Sequence, residues 1–171
     1  MKKFILFFFF VFFVQYAEGQ VDSYSCVTKK HKIEGTKTQI GTAWVTAAHV
    51  AEKCVSSIYE EHDLAVLNQG IPTDCENGII DENVFLIGYP TSEGEVQRGV
   101  IFALDHPIDN QKRTVVMAKG VTDGYSGGPA VSVDTNKVVG IILSVGPKVQ
   151  GDYRPVVLLP VSTICKVLNE N

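Results

Sequence analysis

Ser126 lies in the run Gly124-Tyr125-Ser126-Gly127-Gly128-Pro129, a serine with glycines on both sides. Glycines there let the backbone fold tightly enough for neighbouring N–H groups to converge beside the hydroxyl, which is what a developing oxyanion needs. A serine hydroxyl is a weak nucleophile until a base takes its proton. Of the four histidines, His31, His62 and His106 have charged or polar neighbours and read as solvated surface residues. His49 instead follows Trp44-Val45-Thr46-Ala47-Ala48, an apolar run whose small final residues leave room for an imidazole at a cleft. Such a base needs a third group to fix its tautomer and balance its charge. Asp63 opens Asp63-Leu64-Ala65-Val66-Leu67, a carboxylate leading directly into a strand with no other polar side chain. A carboxylate so placed is expected to be at least half-buried and to have a cationic or donor neighbour. Together these three residue types can carry out acyl transfer through a covalent intermediate.

The elements that must position them are short β-favouring runs separated by turn residues: 23–29, 38–46, 55–59, 63–68, 83–88, 96–104, 113–118, 128–133, 137–144 and 154–159. The fold class is all-β. Val139, Ile141 and Leu143 alternate with Val138, Gly140 and Ile142, so this strand is apolar on both faces and expected to be buried. Two short helices are expected. One is a turn after Ala47; the other covers Val161 to Asn169, with Ile164, Val167 and Leu168 at helical spacing behind Ser162 as a cap. The polar stretch from Asn68 to Gly78 leaves four runs before it and six after. It marks a linker over 69–80 between an N-terminal half-barrel, 20–68, and a C-terminal barrel and helix, 81–171. Many short strands without helices between them make a barrel or a sandwich.

The first nineteen residues read as a targeting segment. Lys2 and Lys3 precede an apolar run from Phe4 to Val14, and Ala17 and Gly19 flank Glu18, the pattern of a secretory signal cut after Gly19. The run is too short for the roughly twenty apolar residues of a membrane span. The 171 residues are 45% hydrophobic and 20% charged with a net charge of -4, ordinary globular values that disfavour nucleic acid or an anionic membrane as partner. Secretion makes Cys26, Cys54, Cys75 and Cys165 disulfide candidates. Three pairings exist, and Cys26 with Cys54 and Cys75 with Cys165 is favoured because it keeps the first bridge within the N-terminal half. No cysteine pair has metal-ligand spacing, so neither a metal nor a cofactor is expected.

Thr46-Ala47-Ala48-His49, His62-Asp63-Leu64-Ala65-Val66-Leu67 and Gly124-Tyr125-Ser126-Gly127-Gly128-Pro129 resemble the T-A-A-H, D-I-A-L-L and G-D-S-G-G-P segments of the trypsin-like, chymotrypsin-fold serine peptidases, in that family's chain order. The resemblance implies two packed antiparallel β-barrels with the site between them and a short C-terminal helix. It implies His49 as general base and acid, Asp63 as its orienting carboxylate, Ser126 as nucleophile, and the N–H groups of Gly124 and Ser126 as the oxyanion hole. Val139 to Gly146 looks like the family strand V-G-I-V-S-W-G. On that match Ser144 supports Asp63, and Ser144, Val145 and Gly146 pair with an extended peptide substrate. By position, Gly120 and Val121 form the floor of the specificity pocket and Gly146 and Gly151 its walls, an uncharged lining that suits bulky apolar residues. Asp123 at the rim favours basic residues instead, and Lys119 and Lys148 do the opposite.

Two departures matter. Tyr125 replaces the aspartate that animal digestive members use to bind a new amino terminus after activation. That places the sequence closer to bacterial and viral branches such as the HtrA-like and glutamyl-endopeptidase-like groups, and Gly88-Tyr89-Pro90 and Val156 to Pro160 also look HtrA-like. The fourteen residues from His49 to Asp63 are also too few for the hairpin usually found there, so the N-terminal barrel is expected to be shortened. The expected activity is a secreted serine endopeptidase. A catalytically silent module of the same fold that grips extended peptides or a partner protein is the alternative. Oligomeric state is left open.

Overall fold

The computed structural model describes residues 20–171; the expected signal, 1–19, lies outside the described residues. Eleven strands form two antiparallel sheets among the described residues. The first contains β1 (Val21–Val27), β2 (Lys32–Ile40), β3 (Ala43–Ala47), β4 (Ile58–Tyr59) and β5 (Leu64–Asn68), in the order β1-β2-β3-β5-β4. The second contains β6 (Asn83–Gly88), β7 (Glu95–Ile108), β8 (Gln111–Ala118), β9 (Pro129–Ser132), β10 (Val138–Val145) and β11 (Arg154–Pro160), closed as β10-β11-β8-β7-β6-β9. Among the described residues the α-helices are the single turn α1 (Ala48–Ala51) and α2 (Val161–Asn169). This is the chymotrypsin-like arrangement, with a closed six-stranded C-terminal barrel and a reduced N-terminal sheet.

The first sheet has five strands where the sequence suggested four runs. The run 38–46 is two strands folded at Gly41-Thr42, with Ile40 paired to Ala43 and Gly41 at φ +61°, a two-residue hairpin made possible by glycine. The β7–β8 hairpin is longer than its two expected runs. Asp109 and Asn110 both take positive φ, forming a tight turn that pairs Ile108 with Gln111 and carries the ladder past Pro107. Ser162 does not cap α2. The cap position is Pro160, and Asn77 acts from outside: its Oδ1 accepts the Ser162 N–H at 3.0 Å and its Nδ2 donates to Ser162 Oγ at 2.8 Å.

Strand β10 is buried on both faces because it serves two cores. Ile141 and Leu143 pack with Val45, Leu64 and Val66 of the first sheet, with Val50 of α1 and with Ile164 and Leu168 of α2. Ile142 points into the closed barrel with Leu86, Val116 and Leu158. Val139 joins Ile142 rather than Ile141, because the register shifts between Val138 and Gly140. Two disulfides form in the favoured pairing. Cys26–Cys54 ties β1 to the segment after α1, and Cys75–Cys165 ties the stretch between β5 and β6 to α2.

Candidate active site

Antiparallel pairing of β3 with β5 sets Ala47 against Leu64. That register brings together the residues just past each strand end, His49 on α1 and Asp63 before β5. Asp63 closes the 3-10 turn Glu60–His62 in the left-handed conformation, φ 55°, which an aspartate tolerates better than most side chains. Its carbonyl accepts the Ala48 N–H at 2.9 Å, its Oδ1 accepts the His49 N–H at 3.0 Å, and its Oδ2 lies 2.8 Å from His49 Nδ1. One residue thus holds both the backbone and the ring of His49. With Nδ1–H given to the carboxylate, Nε2 is left as the basic nitrogen. The hydrogen bond to Asp63 raises the His49 pKa above its ordinary value; burial opposes it, and the negative charges of Asp63, Glu52 and Asp123 add to it.

Ser126 comes from the other sheet. It follows the 3-10 turn Asp123–Tyr125, is only 7% exposed, and leads into Gly127 at φ +86°. Glycine is required at 127. A Cβ there would lie 2.1 Å from both the Thr36 carbonyl and Thr46 Oγ1. This close approach is made by three buried threonines of the first sheet. Thr38 Oγ1 donates to the Gly127 carbonyl at 2.7 Å, Thr36 Oγ1 to the Gly124 carbonyl at 3.0 Å, and Thr46 Oγ1 to the Thr36 carbonyl at 2.7 Å. The Thr36 N–H donates to the Ser126 carbonyl at 2.9 Å. Sequence reasoning missed Thr36 and Thr38, although two threonines at an interval of two on a lysine-rich strand point to one polar, inward face.

Three expectations about the site meet a different geometry. Ser126 Oγ donates to the Leu143 carbonyl at 3.5 Å rather than to His49. The Ser126 N–H, expected in the oxyanion hole, closes the 3-10 turn onto the Asp123 carbonyl at 3.1 Å. The amide is thus satisfied within the loop itself. Ser144 is exposed and makes no hydrogen bond to Asp63. The bulge between Ile142 and Ser144 alters the alternation along β10 just before that residue. The charge near Asp63 from the second sheet is Arg113 of β8, 6% exposed, whose Nη2 reaches the Glu61 carbonyl at 3.5 Å. Burial lowers the Arg113 pKa, and the charges of Asp63 and Asp109 oppose that shift.

The expected substrate-contacting residues are dispersed around this centre. Ser144 and Val145 pair with Val157 and Val156 of β11, and the Gly146 N–H donates to the Pro155 carbonyl at 2.8 Å. On the other side β9 reaches only to Ile141, with Gly128 bonding Ile142, so among the described residues no strand lies beside that edge of β10 beyond Leu143. Gly120, φ +74°, lies against the Gln97 side chain, while Val121 is buried in the barrel core instead of lining an open floor. Gly151, φ +68°, stands in an exposed turn. The Lys119 ammonium sits over the Tyr153 ring at 4.6 Å. Among the described residues no three His, Cys, Asp or Glu side chains gather as metal ligands.

No family model and no curated protein matches the chain. Solved structures do. The active form of the Rv3671c protease from M. tuberculosis aligns with TM-score 0.70 at 20% identity, over 92% of this chain and 82% of that one. Its inactive form aligns with TM-score 0.63 at 21% identity, over 92% of this chain and 91% of that one. An HtrA-type protease, AlgW carrying S227A with a tripeptide, aligns with TM-score 0.70 at 16% identity, over 88% of this chain but 59% of that one. At these identities the likeness is one of fold, and the chain has the chymotrypsin-like fold of the compact bacterial trypsin-like serine proteases.

Proposed function

We propose that the chain is a secreted serine endopeptidase, and that His49, Asp63 and Ser126 are its catalytic residues. The observation that carries this reading is the doubly held His49–Asp63 pair, ring nitrogen to carboxylate at 2.8 Å, beside a serine loop clamped by Thr36 and Thr38. His49 Nε2 removes the Ser126 Oγ proton as Oγ attacks the carbonyl carbon of a peptide. The proton passes to the leaving amine as the C–N bond breaks, and an ester to Ser126 remains. Water, deprotonated by the same nitrogen, cleaves the ester. Two local changes precede attack: the hydroxyl turns from Leu143 toward His49, and the Asp123–Gly124 peptide rotates so that the Gly124 and Ser126 N–H groups face the oxyanion. The free edge of β10 at Ser144 to Gly146 supports substrate binding as an added strand. Gly120, Val121 and Gly151 remain candidates for the specificity pocket. Removal of residues 1–19 in a secretory compartment would give the chain 20–171, divided at 69–80, in which both bridges persist.

A silent peptide-gripping module is the second reading, favoured by one observation: the Ser126 N–H and Oγ are both occupied internally. Fluorophosphonate labelling separates the two. The protease labels at Ser126, not in Ser126→Ala and more slowly in His49→Ala, and it hydrolyses peptides; the silent module folds, never labels and turns nothing over.

A further inference from the structure

Tyr125 stands between the two residues of the expected oxyanion hole, and its side chain points away from the cleft. It is fully buried in the core of the second barrel with Val121, Ala130 and Ile142. The ring lies on Gly88, where a Cβ would come within 2.4 Å of ring Cγ. Glu95 is the residue opposite Gly88 on the β6–β7 ladder, and its Oε2 accepts the Tyr125 hydroxyl at 3.1 Å. Gln97 is a second hydrogen-bonding neighbour. Burial pushes the phenol far above its ordinary pKa, with Glu95 adding and Gln97 opposing, so the side chain is a neutral donor throughout the working pH range. The backbone of Tyr125 is held as well: its N–H donates to the Thr122 carbonyl at 3.1 Å, and its carbonyl accepts the Gly128 N–H at 2.8 Å.

The first described residues are engaged elsewhere. The Gln20 carbonyl accepts the Gln39 N–H at 2.8 Å, and Val21 pairs with Thr38 and packs on Ile87 and Val131. Gln20 lines a groove with Gly41, Asp74 and Lys137, none of which belongs to the serine loop or touches Tyr125 through a hydrogen bond.

We propose that Tyr125 is the positioning residue of the serine loop, anchored through Glu95, and that this anchor makes activity independent of any cleavage that frees a new amino terminus. The proposal rests on the protease reading above. Tyr125 is the fixed post, and Asp123–Gly124 is the part of the loop left free to rotate.

The test compares the disulfide-bonded chain 20–171 with Tyr125→Phe, Glu95→Gln and a form extended by several residues before Gln20. Tyr125→Phe keeps the ring and loses the bond to a charged acceptor, so kcat is expected to fall about tenfold with KM within about twofold. Amide hydrogen exchange over 123–128 is expected to speed up by a similar factor. Glu95→Gln, whose amide oxygen still accepts, loses less than about threefold in kcat. The extended form stays within about twofold of the parent, because no ion pair at the amino terminus is needed. Parental kcat and exchange in Tyr125→Phe, or loss of activity on extension, would overturn the proposal. If the parent neither labels nor turns over, the protease reading fails, and exchange in Tyr125→Phe against the parent still decides whether the anchor exists.

Discussion

Asp63 does more for His49 than a single hydrogen bond, since one oxygen holds the backbone and the other the ring. Because the folded-state pKa of His49 is raised, the imidazole becomes the neutral base only above its ordinary value of about 6.5. The acid limb of kcat/KM is therefore expected above pH ~6.5 and to move down in Asp63→Asn, which also loses the correct tautomer and about 10⁴-fold in kcat. The stability linkage has the same sign: a raised histidine pKa stabilises the fold below its unfolded value, and that contribution is lost as pH rises through the folded one. Chemical denaturation of Asp63→Asn and the parent at several pH values checks it. At this scale the sequence was informative wherever a residue's placement is set by its own neighbours: His49 at the end of the strand that holds Thr46, Asp63 before an apolar strand, Ser126 in a loop among glycines. It was uninformative for Ser144, whose direction depends on a bulge, and for Arg113, whose place beside Asp63 depends on strands distant in sequence.

Strand β2 is the element that joins the two halves of the site, because its inward threonines bind the carbonyls of the loop that bears Ser126. Replacing Thr38 by valine leaves the buried Gly127 carbonyl without its side-chain donor. A loss of about 1–3 kcal/mol in urea unfolding is expected, with a larger fractional loss of fluorophosphonate labelling than an equally destabilising change in α2 would give. Gly127→Ala combines a forbidden φ with overlap against Thr36 and Thr46, and is expected to remove more than about 4 kcal/mol or to prevent folding, read as loss of the cooperative transition. Most strands were legible from β-favouring runs. The division at Gly41-Thr42 was hidden because a single glycine within a β-favouring run reads as readily as a bulge as a turn, and the extension of β7 and β8 because Pro107 close before Asp109-Asn110 reads as the end of a strand. The cap on α2 was hidden for a different reason: Asn77 is 85 residues from Ser162, and no local pattern reports a partner at that distance.

For the whole molecule, the short first sheet raises the question of what holds it in place. β10 answers part of it by packing the first sheet and the barrel on opposite faces, so the two halves share a strand's worth of core rather than merely touching. The disulfides answer the rest. In the loop-entropy account, Cys75–Cys165 closes 90 residues and contributes about 4.5 kcal/mol, and Cys26–Cys54 closes 28 and contributes about 3.5 kcal/mol. Replacing Cys75 and Cys165 by serine is accordingly expected to lower Tm more than replacing Cys26 and Cys54, as measured by calorimetry. The longer bridge also bears on how damage would show itself. Ile79 and Ile80 are exposed, 68% and 46%, on the β6 side of Cys75. A cut between them would leave the fragment ending at Ile79 bound through Cys75 to the fragment carrying Cys165. Such a clipped molecule would run as one band without reductant and as two with it, so self-digestion at this stretch would pass unseen in any preparation judged only on a non-reducing gel.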